Sequence, residues 1–117
     1  YRGCAIAIAD IESEDLRIIA SQAADEMLNI SGIQSSYVLY RTGDIVNISA
    51  RSMGAMNVQL IMEMLGGGGH QTMAAAQLSN ISVSDAKVRL LQVIDQFYAQ
   101  INAQEEAPQE RPEEMQN

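Results

Sequence analysis

Three features of this 117-residue sequence are suited to chemistry: Ser49, Arg51 and the run Gly66-Gly67-Gly68-Gly69-His70. Glycines lack a Cβ, so they take positive φ readily and let another molecule approach their N–H groups. Ordering them costs more conformational entropy than ordering other residues, so a passive turn has no need of four. Amides presented in succession form a concavity that binds anions, and a phosphate suits it well. His70 is the single histidine of the chain. Its ring can donate a hydrogen bond and can carry charge near neutral pH. The run lacks the Lys-Ser/Thr ending of a P-loop and the spacing of a dinucleotide fingerprint. On the glycines alone, a helix C-cap followed by a turn is an equal reading.

Ser49 and Arg51 lie in Ile45–Arg51, which alternates as a strand does. The period of two sends Val46, Ile48 and Ala50 to the core and places Asn47, Ser49 and Arg51 together on the opposite face. Arginine can grip a phosphate bidentately, better than lysine can, and a serine hydroxyl can add a donor. The plain alternative is an exposed strand face with a solvated arginine.

The elements that must hold these residues follow from pattern. Gly3–Ala9 is a short apolar run and reads as a buried strand. Ser13 reads as a helix N-cap with Glu14 and Asp15 in the first turn. Leu16, Ile19, Ala20, Ala23, Ala24, Met27 and Leu28 then form one apolar face, stopping by Gly32. Arg17, Asp25 and Glu26 read as solvated. Tyr37–Tyr40 and Ile45–Arg51 form a hairpin through Thr42-Gly43-Asp44. Asn57 caps a short helix through Leu65 that turns Leu60, Ile61, Met64 and Leu65 inward, and Met53, Met56, Met62 and Met64 read as adaptable core. Met73–Leu78 is a strand. Ser82 or Ser84 caps a last helix with a stripe of Val83, Ala86, Leu90, Ile94, Phe97 and Ile101, and Tyr98 at its edge. The order strand, helix, hairpin, helix, loop, strand, helix describes an α+β domain, with helices packed on a small mixed sheet.

Gly67-Gly68-Gly69-His70 with Ala74 and Ala75 resembles the GGGH signature of the DHHA1 domain, the C-terminal substrate-binding domain of the DHH phosphoesterases. Ser49-Ala50-Arg51-Ser52 upstream, and Asn57-Val58 and Met62-Glu63 leading into the loop, are similar to the membrane-anchored cyclic-di-AMP phosphodiesterases in particular. The resemblance covers residues 1 to 102. Many DHHA1 domains have glycine at Ala75 and alanine at Met73, a departure that favours the cyclic-dinucleotide branch over the oligonucleotide-degrading ones. The resemblance implies that Ser49, Arg51, Gly67, Gly68, Gly69 and His70 bind substrate phosphate, with His70 as an assistant and no catalytic residue of its own in this chain. It implies a manganese-dependent phosphodiesterase that hydrolyses cyclic-di-AMP to linear pApA. The Mn2+ would be bound by a preceding DHH domain, because this chain has no DHH triplet, one histidine and scattered acids. A cytoplasmic domain of a protein anchored in the bacterial cell membrane is expected, itself not inserted in the membrane, with a homodimer left open. The alternative is a nucleic-acid-binding module of a single-strand exonuclease or oligoribonuclease.

Composition weighs on that alternative. Net charge is −8. Residues 105–117 hold five acids and one base, which gives −4, and the other 104 residues hold ten acids and six bases, again −4. An acidic domain binds polynucleotide poorly, since that affinity rests on phosphate neutralisation. One Phe, four Tyr and no Trp offer few stacking platforms. No apolar run approaches the ~18 residues of a membrane helix. The lone Cys4 sits among Ala5, Ile6 and Ala7 and reads as a small buried apolar residue. Without a signal pattern or initiating methionine, the chain is expected to begin inside a longer protein. Residues 1–104 are expected to form the domain, and the Pro-, Glu- and Gln-rich residues 105–117 a disordered tail.

Overall fold

The computed structural model describes residues 1–10 and 14–110, with side chains as far as residue 104. Five strands form one mixed sheet in the order β1-β2-β3-β5-β4. β1 (Cys4–Ala9) and β2 (Ser35–Thr42) run parallel, so their connection must cross over, and α1 (Leu16–Met27) makes that crossover. β3 (Ile45–Ser52) returns antiparallel to β2 through Gly43 and Asp44, with Gly43 at φ 62°. Glycine first in a two-residue turn matches the twist of the flanking strands. α2 (Val58–Glu63), β4 (Gly68–Gly69), β5 (Met73–Ser79) and α3 (Val83–Glu110) follow. The architecture is the α+β one expected, with the glycine run contributing an additional edge strand.

The sheet buries its two faces differently. Tyr37, Leu39, Val46, Ile48, Ala50, Ala74, Ala76 and Leu78 pack on one face against Val58, Ile61, Met62 and Leu65 from α2 and its C-terminal turn, and Ala86, Leu90, Val93, Ile94 and Phe97 of α3. Full burial of a side chain such as Leu90 or Ile94 contributes roughly 1.5–3 kcal/mol. On the other face α1 packs Leu16, Ala20 and Ala24 onto Val38 and Tyr40 of β2. The small alanines let the helix lie close, and the Ser36 hydroxyl donates to the Ala24 carbonyl at 2.6 Å. α1 thus lies over β2 and reaches across to β3 on this face. The β5–β4 side stays open, and Asn47, Ser49 and Arg51 of β3 lie buried along its border with α1.

Capping follows local chemistry. The Asn57 side chain accepts from the Gln59 and Leu60 amides, as an N-cap should. Ser82 caps α3, accepting from the Asp85 amide at 3.0 Å. The residue at the N-cap of α1 is Asp15, and Ser13 lies outside the described residues.

Four expectations need correction. β1 is an edge strand with no neighbour on one side, so Ile8 is half-exposed and only Cys4 is buried, at 1 %. Leu60 turns outward, and Val58 and Met62 take the inward positions beside Ile61, because α2 is a single short helix that offers only one face to the sheet. Met53 is exposed, while Met56 and Met62 are buried. The backbone of α3 continues to Glu110, beyond the boundary expected at residue 104, and residues 111–117 lie outside the described residues.

Candidate functional site

β3 and β5 pair so that Asn47 faces Gln77, Ser49 faces Ala75 and Arg51 faces Met73. Directly opposite residues of an antiparallel pair share a face, so these three pairs form successive rungs on this face of the sheet. The rungs are about 6.6 Å apart. α1 runs back antiparallel to β1 and forms the wall above them. Asp25 meets Arg51, and steps of four residues, about 6 Å each, carry the helix to Ser21 and then Arg17. Arg17 and Ser21 line the resulting cleft together with Ser49, Arg51, Gly68, Gly69, His70 and Gln77. Its volume is about 590 Å³, within the range of small-molecule sites.

Arg51 is buried to 9 % exposure where β3 borders α1. Its Nε donates to Asp25 Oδ1 at 2.9 Å, and its Nη1 donates to the Ala50 carbonyl at 2.9 Å. The guanidinium is therefore held from two directions beside the cleft it lines. Arg51 was expected as a freely offered bidentate fork, with Asp25 solvated. Instead Asp25 takes one edge of that fork and fixes where the other points. Ser49 is 6 % exposed, and its hydroxyl makes no hydrogen bond among the described residues, so its capacity is directed at the cleft it lines.

The four glycines divide into different tasks. Gly66 stands at φ 87°, its amide bonded to the Glu63 carbonyl, while the Gly67 amide bonds to the Met62 carbonyl at 2.8 Å. These two bonds close the end of α2 as a Schellman motif. The C-cap reading is therefore right for this half of the run. Gly67 also lies against β5: a Cβ there would collide with the Ala75 carbonyl and come within 2.7 Å of the Ala76 Cα. Gly69, at φ 145°, would place a Cβ 2.5 Å from the Ala74 Cα. Gly68 alone among the three glycines of the signature has no positive φ and no atom within 4 Å of a built Cβ. His70 and Met73 exchange backbone hydrogen bonds, with the His70 amide donating at 2.6 Å. The loop is thus a cap joined to a short edge strand. The Gly66, Gly67 and His70 amides are committed to protein carbonyls, and Gly68 and Gly69 pair with Ala75 and Ala74 in the sheet, so the expected row of free amides is not formed. The His70 ring is exposed at the mouth of the cleft.

At the opposite end, the Asn47 Nδ2 donates to Thr42 Oγ1 at 2.8 Å and to the Tyr40 carbonyl at 3.4 Å. Its Oδ1 accepts from Gln77 Nε2 at 3.2 Å. Every sequence-chosen side chain, Ser49, Arg51 and His70, lies on the one cleft, as do Gly68 and Gly69, while Gly67 lies behind it. Arg17, Ser21, Asp25 and Gln77 were missed. The signal for the first three was their spacing of four, which puts them on one side of α1. No group of three His, Cys, Asp or Glu side chains among the described residues is arranged to hold a metal ion. No helix among them is long and apolar enough to cross a membrane.

The DHHA1 domain family matches residues 3–100. The chain is 45% identical over 99 residues to the cyclic-di-AMP phosphodiesterase PdeA of Listeria monocytogenes, covering 84% of this chain and 15% of that protein. It is 48% identical over 98 residues to the cyclic-di-AMP phosphodiesterase GdpP of Bacillus subtilis, covering 80% and 15%. The chain thus spans 15% of the length of these relatives. Among solved structures, an exopolyphosphatase-related protein from Bacteroides fragilis superposes with a TM-score of 0.60 at 16% identity, covering 85% of this chain and 29% of that one. The C-Ala domain of Aquifex aeolicus alanyl-tRNA synthetase superposes with a TM-score of 0.58 at 17% identity, covering 77% and 88%. At these identities the likeness is one of fold.

Proposed function

The chain belongs to the DHHA1 domain family, and from that premise we propose that it is the substrate-holding part of a manganese-dependent phosphodiesterase that opens cyclic-di-AMP to linear pApA. One observation carries the reading: Ser49 and the anchored Arg51 lie side by side on the floor of a cleft whose rim is Gly68, Gly69 and His70. A serine hydroxyl, a fixed guanidinium N–H and an imidazole are three donors suited to one phosphate. Charge-assisted donors held in place before the ligand arrives need no reorganisation to bind it. Gly68 leaves room for the ligand to approach the edge strand.

The residues of this chain hold and orient the phosphate and exclude water around it; His70 donates to it. The metal would be held by a DHH domain elsewhere in a longer protein, where it would activate water and neutralise charge on the phosphoryl group. The side chains described here supply no ligand cluster for it. The proposal extends to a longer protein anchored in the bacterial cell membrane, with this domain on the cytoplasmic side. A polynucleotide-binding role is less well supported by a chain of net charge −8 with no tryptophan.

The test has two arms. Titrating the chain with cyclic-di-AMP, pApA and a short oligonucleotide should show weak binding of the first two. Incubating it with cyclic-di-AMP and excess manganese should release no product, while a protein that also carries the DHH domain should turn over. Turnover by the purified 117-residue chain that disappears in His70→Ala would overturn the division of labour.

A further inference from the structure

The phosphate-holding residues occupy two of the three rungs. The third, Asn47 and Gln77 with Thr42 and Arg17 around it, has no part in holding phosphate, yet its side chains are fixed as if for recognition. Building on the phosphate-holding role of the other two rungs, we propose that Gln77 reads the edge of a nucleobase and selects adenine, with Asn47 as its positioning residue.

A carbonyl only accepts, so the Tyr40 carbonyl, together with Thr42 Oγ1, fixes the nitrogen end of the Asn47 carboxamide. Asn47 is 7 % exposed and has no room to present its other end to solvent. Its Oδ1 therefore points at Gln77, and only a donor can meet it there. Gln77 answers with Nε2, at 3.2 Å. That bond uses one of the two Nε2 hydrogens and sets the orientation of an otherwise exposed side chain. The second Nε2 hydrogen and the Oε1 acceptor are left adjacent at the cleft.

A carboxamide that offers one donor beside one acceptor pairs bidentately with the N6 amino group and N7 of adenine. On that same N7 edge guanine shows two acceptors, N7 and O6, which one amide cannot match, so the choice of adenine is made at the N7 edge. The spacing suits a nucleotide. Gln77 lies one rung from the Ser49–Ala75 pair and two from Arg51–Met73, about 6.6 and 13 Å along the strands. That separates a base edge from a phosphate held between Ser49 and Arg51. Arg17, at the same end of the cleft on α1, brings a planar cation that can lie against the base.

The side-chain amide resonances of Gln77 and Asn47 report on this directly. In isotope-labelled protein titrated with pApA, both should move together with the backbone signals of Ser49, Gly68 and His70. With pGpG the signals at Ser49, Gly68 and His70 should move, and the Gln77 amide should not. In Gln77→Met, which cannot pair, pApA affinity should fall about tenfold, to that of pGpG, with the pGpG affinity kept. Gln77→Glu loses the donors and should lose the preference too. Movement at Ser49 and His70 without movement at Gln77 in pApA would overturn base reading and leave the phosphate role standing. Equal response of Gln77 to pApA and pGpG, or an unchanged preference in Gln77→Met, would overturn the choice of adenine. If no cleft signal moved with either nucleotide, both this inference and the proposed function would fall.

Discussion

Arg51 Nε and Asp25 Oδ1 stand 2.9 Å apart, joining the end of β3 to the last turn of α1. The arginine side chain is 10 % exposed and the aspartate 61 %, so the pair is buried on one side only. Water screens such a pair, and its contribution to stability is about 1 kcal/mol or less. Its larger consequence is geometric, since it decides which N–H of Arg51 faces a ligand.

Asp25→Asn and Arg51→Ala should therefore separate orientation from contact. Arg51→Ala removes a charge-assisted donor and should weaken phosphate binding by about 1.5–3 kcal/mol while the domain stays folded. Asp25→Asn should change the melting temperature little and weaken the same binding by a smaller factor. Isothermal titration with pApA, beside thermal melts, reads both. Wild-type affinity in a folded Arg51→Ala protein would refute the clamp.

Gly67 and Gly68 are adjacent and should respond in opposite ways. Gly67→Ala drives a Cβ into the Ala75 carbonyl and should cost about 1–3 kcal/mol of stability. Gly68→Ala meets no protein atom within 4 Å, so its melting temperature should stay close to wild type. If ligand approaches the edge strand at Gly68, nucleotide affinity should fall in that variant nonetheless. Unchanged affinity there would move the ligand away from β4.

Tyr37 is fully buried, and burial pushes its phenol well above the ordinary value near 10, against a smaller opposite effect of the Ser35 hydrogen bond at 3.1 Å. The folded state thus favours the neutral phenol. The stability this contributes is complete below pH ~10 and is lost as pH rises above it, because the unfolded chain then releases a proton that the folded one retains. Denaturant melts between pH 8 and 11 should show wild-type stability falling faster than that of Tyr37→Phe, by up to ~1.4 kcal/mol per pH unit. Parallel curves would show that Tyr37 ionises without unfolding.

Ile101 is the last apolar residue of α3 packed against the core among the described side chains. Removing residues 105–117 should therefore leave the cooperative unfolding transition in place, with a change in the midpoint that is small beside the loss from a core substitution such as Leu90→Ala, about 2–5 kcal/mol. A non-cooperative melt of the truncated chain would show that the segment docks.

The sequence by itself determined the elements whose periodicity is long and whose boundaries carry turn chemistry. The alternation in β3 sorted Val46, Ile48 and Ala50 from Asn47, Ser49 and Arg51, because a strand's period of two admits no other division. The GGGH resemblance pointed to residues that the fold gathers on one cleft. Tertiary structure alone decided what each residue there does. Whether β1 is buried depends on how many strands flank it, which alternation within β1 does not encode. Asp25 and Arg51 are 26 residues apart, and only the parallel crossover that lays α1 against β3 makes them partners. The four glycines are identical in sequence and differ only in what lies beside them: a helix end at Gly66, β5 at Gly67 and Gly69, and open space at Gly68. Gln77 gave no sign of interest in the sequence, because its orientation is set by a chain of hydrogen bonds that starts at the Tyr40 carbonyl, two strands away.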